Sequence, residues 1–211
     1  VKALLWDMDG TLVDTEPRWG EATYAMAAAM GRELTPELRE QTVGGSADGT
    51  VRLCAGWAGL DLTDAEVAVW IDRLYEDVSA RFARGLDLQP GVHDLLTAGK
   101  AAGIPMMVVT NTFRRLADQA LDSIGRHWFV GSVCGDEVAV GKPDPMPYRT
   151  AAGRLGIDPD DCLVFEDSVN GRASAAAAGC RVVDVSAPGA LAGLSLPDVV
   201  RLWQARAGVT E

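Results

Sequence analysis

Trp6-Asp7-Met8-Asp9-Gly10-Thr11-Leu12 is the stretch on which the reading of the fold turns. Residues 3–8 form a short apolar run with the character of a buried strand, yet carboxylates stand at its carboxyl end and a glycine turn follows at once. Ligands bind open parallel sheets at that edge. Strand alternation would place Asp7 and Asp9 on one side, and a bend could aim both at one ligand. One carboxylate can attack phosphorus, and a second can protonate the leaving oxygen and later deprotonate water. Taken alone, the pair could equally cap the turn after it.

Outward from this stretch, further apolar runs at 105–109, 128–133, 161–165 and 181–185 predict buried strands. Helical patterns at 91–102, 112–125, 146–156 and 171–178 lie between most of them. Strands alternating with helices predict an α/β fold: a Rossmann-like, mainly parallel sheet with helices on both faces. Gly103, Gly125, Gly156 and Gly179 stand where helices can close in a left-handed conformation. Residues 15–86 have a different texture. Helices are expected at 21–30, 36–42, 47–58 and 63–83, with Thr63-Asp64-Ala65-Glu66 as a capping box and no strand between them. The expected organisation is an α/β core of residues 1–14 and 87–211 and an inserted all-α cap of residues 15–86. The crossings fall at 14–18 and 86–91, each with a proline, and residues 197–206 read as a final helix.

Three more strand ends carry chemistry. Phe165-Glu166-Asp167-Ser168 closes an apolar run with two acids. If its strand neighbours the first, Asp7, Asp9, Glu166 and Asp167 converge, and Mg²⁺ suits such a hard-oxygen site. Val109-Thr110-Asn111-Thr112 ends a strand in hydroxyl and amide groups that could donate to a phosphoryl oxygen. Lys142, in Gly141-Lys142-Pro143, could offset negative charge in a transition state. Each has an ordinary structural explanation as well: acids at a helix N-terminus, threonines as caps, a surface lysine. Their shared position at one edge of the sheet favours the chemical reading.

The formal charge of −11 and the lack of a Lys/Arg cluster argue against nucleic acid and anionic membranes as partners. Two histidines, His93 and His127, and four scattered cysteines argue against a zinc site. No run of about 18 apolar residues is present, so no membrane partner and a cytoplasmic location are expected. A monomer is expected, with a weak dimer as the alternative.

Together, Asp7-Met8-Asp9-Gly10-Thr11-Leu12-Val13-Asp14-Thr15-Glu16, Thr110-Asn111, Gly141-Lys142-Pro143 and Phe165-Glu166-Asp167-Ser168-Val169-Asn170-Gly171 resemble the haloacid-dehalogenase-like superfamily. The closer resemblance is to its phosphatase and β-phosphoglucomutase-like branch, which carries an inserted helical cap. The resemblance implies Asp7 as nucleophile, Asp9 as general acid/base, and Thr110 and Lys142 as phosphate-stabilising positions. It implies Mg²⁺ held by Asp7, Glu166, Asp167 and the backbone carbonyl at Asp9. Paired aspartates argue against a dehalogenase, and the absence of lysine from residues 15–86 argues against a Schiff-base phosphonate hydrolase.

The expected function is therefore a magnesium-dependent phosphatase for a small phosphomonoester, a sugar or sugar-alcohol phosphate, through an aspartyl-phosphate. Asn111, Arg18, Trp19 and Ser46 are candidate substrate contacts beside Thr110 and Lys142. Arg18 could instead be a surface residue at the hinge, Trp19 an anchor packing the cap, and Ser46 a helix N-cap. The alternatives are a β-phosphoglucomutase-like mutase and a catalytically silent binding protein. Family mutases resemble one another in a histidine soon after the first motif, where this chain offers Trp19 instead.

Overall fold

The computed structural model describes residues 1–43 and 45–205. In chain order, β1 (Ala3–Trp6) is followed by α1 (Glu16–Ala29), α2 (Pro36–Glu40), α3 (Ala47–Trp57) and α4 (Asp64–Phe82). Then come α5 (Val92–Ala101), β2 (Met106–Val109), α6 (Arg114–Ile124), β3 (Gly131–Val133), α7 (Met146–Leu155), β4 (Cys162–Glu166), α8 (Val169–Ala178), β5 (Arg181–Asp184) and α9 (Leu196–Ala205). Gly44 of the expected cap loop and Arg206 of the expected last helix lie outside the described residues.

The chain divides into two compact units, Val1–Asp14 with Leu86–Glu211, and Thr15–Gly85. The first holds a five-stranded, wholly parallel sheet in the order β3-β2-β1-β4-β5. Strands are added on one side of β1 and then on the other, so the order reverses at β1–β4, the position where such sheets build ligand sites. β1, β2 and β4 are buried along their whole length, as near-continuous apolar strands covered on both faces should be. Ala3, Leu5, Met107, Val109, Cys162 and Val164 pack on one face with Tyr148 and Ala151 of α7 and Ala175 of α8. On the other face, Gly99 of α5 lies so close that a Cβ there would stand 3.0 Å from Met106 Sδ and 3.3 Å from Leu4.

Trp6 and Phe165 are register partners on adjacent strands, and their rings stack at 4.0 Å. This buried pair clamps β1 to β4 one residue before Asp7 and Glu166. The residues just before the first crossing are tied to the second crossing within the core. Val13 bridges Leu88, and the Gln89 N–H donates to the Leu12 carbonyl.

Among its described residues the second unit holds four helices and no strand. Thr63 and Glu66 form the expected capping box at α4, and Ser46 caps α3 through the Gly49 N–H. One boundary differs from expectation: α1 begins at Glu16, five residues before residue 21. Pro17 sits in the first helical turn, where its missing N–H has no intrahelical partner to lose. It therefore opens the helix, and does not stiffen a linker. The third strand is shorter than residues 128–133, because residues 126–128 form a 3-10 turn first. Gly125 closes α6 with a positive φ but a ψ of 99°, outside the left-handed helical well. Among the described residues no helix is long and apolar enough to cross a membrane.

Candidate active site

The core residues singled out at strand ends gather at the carboxyl edge of this sheet, with one correction: Lys142 ends no strand and reaches the edge from the loop that follows β3. Asp7 follows β1 directly, held by its N–H to the Phe165 carbonyl. The chain then turns tightly at Gly10, whose φ of +87° suits glycine, and the Gly10 N–H reaches the Val13 carbonyl. A Cβ on Gly10 would lie 2.3 Å from Asp167 Oδ2, so the turn leaves the space that Asp167 occupies.

Lys142 ties the centre together. Its Nζ donates to Asp7 Oδ1 at 2.5 Å and to Glu166 Oε1 at 2.6 Å, with all three residues buried. Its turn is held by Asn111, whose Oδ1 accepts from the Lys142 N–H at 2.8 Å and whose amide donates to the Lys142 carbonyl at 3.1 Å. The Asn111 side chain thus holds the Lys142 turn in place. Glu166 is wholly buried and accepts four bonds. Lys142 and the Tyr148 hydroxyl reach Oε1, and the N–H and hydroxyl of Ser168 reach Oε2. Gly171 permits this, since a Cβ there would overlap Glu166 Oε1 at 1.7 Å.

Asp7, Glu166 and Asp167 bring one carboxylate oxygen each within 4.8 Å of one another. Thr11 donates to Asp167 at 3.0 Å. Three clustered hard-oxygen donors, in space that glycine keeps open, fit a divalent cation, and this buried group can coordinate one. The Asp9 carboxylate is not among the three. Its Oδ2 instead accepts from Thr112 at 2.7 Å and Thr110 at 3.1 Å, so three of the four predicted acids meet through their carboxylates. Thr110 Oγ1 also accepts from the Thr112 N–H at 3.0 Å, and its single O–H points to Asp9. It is not an N-cap: α6 starts from Phe113 without a side-chain cap.

Electrostatics follow from crowding. Burial pushes the Asp7 carboxyl well up; Lys142 opposes this, while Glu166 and Asp9 add to it. Burial alone would lower Lys142, but Asp7, Tyr148 and Glu166 more than offset it and hold the ammonium charged. Burial likewise raises Asp167, against the bond from Thr11. One ammonium among three carboxylates leaves the cluster short of positive charge, the deficit a cation would relieve.

In the helical unit, Arg18 lies 3.6 Å from Glu21, Trp19 stands edge-on to Tyr75 at 6.0 Å, and Ser46 serves as an N-cap. Each therefore has a partner inside that unit. Thr11, Tyr148, Ser168 and Gly171 carried no chemical assignment in the sequence reading. Ser168 and Gly171 stand beside Glu166-Asp167, so adjacency could have flagged them. Tyr148 had no local signal.

A family model for haloacid dehalogenase-like hydrolases matches residues 1–179. The N-acetylmuramic acid 6-phosphate phosphatase of Pseudomonas aeruginosa is 37% identical over 193 residues, covering 88% of this chain and 81% of that protein. A phosphorylated carbohydrates phosphatase of Thermotoga maritima is 33% identical over 181 residues, covering 85% and 82%. Among solved structures, CbbY from Rhodobacter sphaeroides in complex with phosphate superposes with a TM-score of 0.78 at 28% identity, covering 92% of this chain and 89% of that one.

Proposed function

The chain belongs to the haloacid dehalogenase-like hydrolase family, and from that premise we propose that Asp7 is its nucleophile, Asp9 its general acid and base, and Lys142 its phosphate-stabilising cation. It is a metal-dependent phosphatase acting on a small phosphorylated metabolite through an aspartyl-phosphate. The observation that carries the residue assignment is the Lys142 ammonium shared between Asp7 and Glu166 at the switch point of the sheet.

Asp7 attacks phosphorus in line, the bond to the ester oxygen breaks, and Asp9 gives its proton to the departing alcohol. Asp9 then takes a proton from water, whose oxygen attacks the phosphoryl group and restores Asp7. Two hydroxyl donors on Asp9 Oδ2 set the orientation of that carboxylate before substrate arrives. Thr110 is proposed to turn its O–H from Asp9 to a phosphoryl oxygen as substrate enters. The third N–H of Lys142, beyond those given to Asp7 and Glu166, is proposed to serve the same group. Asp7, Glu166 and Asp167, with the carbonyl at Asp9, would hold Mg²⁺, which supplies charge neutralisation for the carboxylates and the phosphoryl oxygens. Asn111 acts through the Lys142 turn.

A sugar or sugar-alcohol phosphate is the substrate class we propose, supported by relatives named for N-acetylmuramic acid 6-phosphate and phosphorylated carbohydrates. Arg18, Trp19 and Ser46 are the proposed contacts for its non-reacting part. A panel of metabolite phosphates, assayed with Mg²⁺ for inorganic phosphate and isomer products together, tests the function. Release of phosphate from at least one sugar phosphate is expected. No release alongside isomerisation of glucose 1-phosphate would replace hydrolysis with a mutase. Asp7→Asn is expected to lower turnover by about 10³-fold or more while ligand still binds. Ordinary turnover by that variant would sink the nucleophile assignment.

A further inference from the structure

Tyr148 lies on α7, belongs to none of the motifs at the strand ends, and is wholly buried. Its ring belongs to the apolar cluster beneath the sheet, a place phenylalanine would fill equally well. A buried hydroxyl is unfavourable unless it is hydrogen-bonded. This one donates to Glu166 Oε1 at 3.1 Å, the same oxygen that Lys142 reaches, and the Lys142 ammonium stands 5.0 Å from the ring centroid.

We propose that Tyr148 is a positioning residue of the reaction, fixing Glu166 so that the Lys142 ammonium stays shared between Glu166 and Asp7. The inference rests on the reading of Asp7 and Lys142 given above. Ser168 pins one oxygen of Glu166 with two bonds, and Tyr148 and Lys142 pin the other. Without the phenol, Oε1 keeps the ammonium as its one donor among these, and the carboxylate can rotate about its Ser168 end. The ammonium is then no longer held at a fixed point between the two carboxylates, and it can close on Asp7 when Glu166 turns away. A nucleophile oxygen drawn closer to a cation attacks phosphorus less readily, and the lysine proton intended for the phosphoryl group is re-aimed. Both effects fall on the chemical step and leave ground-state binding almost unchanged.

The test uses Tyr148→Phe in the full chain, with Ser168→Ala as a second way to loosen the same carboxylate and Asp7→Asn as a parallel control. With whichever phosphate ester the wild type hydrolyses, Tyr148→Phe is expected to lower kcat by about tenfold with KM within about twofold. Urea unfolding of the metal-free protein should remain one cooperative transition. In a double-mutant cycle, adding Tyr148→Phe to Glu166→Gln should lower kcat by less than about twofold, because the group it positions is already altered. Ser168→Ala should act in the same direction as Tyr148→Phe. Wild-type kcat in Tyr148→Phe would overturn the proposal, as would a loss of the same size on the Glu166→Gln background. If Asp7→Asn is dead while Tyr148→Phe is unaffected, the positioning role alone fails. If Asp7→Asn turns over normally, the nucleophile assignment fails first.

Discussion

Among the described residues, each unit buries one long cation, and the two cations are held in opposite ways. In the helical unit, Arg39 bonds Thr42 and Glu16, but the Glu16 side chain is 51% exposed and Arg39 Nε has no partner among the described residues. In the core, Lys142 is flanked by Asp7 and Glu166, with side chains 9% and 0% exposed. An ion pair with one wet end sheds little hydration and serves ordinary packing. A dry pair surrounded by further acids sheds much more and is poor value for stability alone. The difference teaches where function lies: charge concentrated where the fold gains least from it marks the place where chemistry requires it.

That contrast can be broken by removing each cation. Lys142→Met leaves two buried carboxylates without their shared partner, and a loss of about 3 kcal/mol or more in unfolding free energy is expected. Turnover should fall by about 10²- to 10³-fold. Arg39→Met leaves a carboxylate that water can reach, so its loss should be about 1–2 kcal/mol. Urea unfolding of both variants beside the wild type measures this, and equal losses would end the distinction.

Glycines sharpen the comparison. Gly171→Ala would drive a Cβ into Glu166, and destabilisation by about 1–3 kcal/mol with at least about tenfold lower turnover is expected. Gly56, inside α3, has open space around the position of a Cβ. There alanine should stabilise by about 0.5–1 kcal/mol through helix propensity. Thermal melts and steady-state rates on the two variants should move in the opposed directions described.

The smallest effect belongs to the capping box. Bonds from the Thr63 backbone N–H and hydroxyl hold Glu66 below its ordinary 4.5. A lowered acid contributes stability that is present above 4.5 and lost as pH falls through its folded value. Glu66→Gln should therefore melt slightly below wild type at neutral pH, with the gap closing as pH falls toward about 3. Melting curves across that range test it, and a gap that widens in acid would reverse the sign.

Much of the architecture was readable along the chain, because strand and helix periods, caps and glycine stops act over a few residues. Residues 162–166 form a strand ending in acid, and Thr63 with Glu66 caps a helix, for reasons contained within five residues of each. The start of α1 was misread because a proline reads alike as a linker or as a first helical turn, and the backbone around it decides between them. The site was legible as a set of strand ends but not as a set of bonds.

By itself, then, the sequence determined which residues stand at the carboxyl edge of the sheet, since that depends on where each apolar run stops. Only the tertiary structure decided that Lys142 joins Asp7 to Glu166, that Asn111 grips the backbone of Lys142, that Thr110 faces Asp9, and that Tyr148 completes Glu166. Those partners lie between 18 and 135 positions apart in the chain. No local propensity spans such distances. Strand order and close packing bring the groups together, and burial makes each of them take whichever donor or acceptor it meets there.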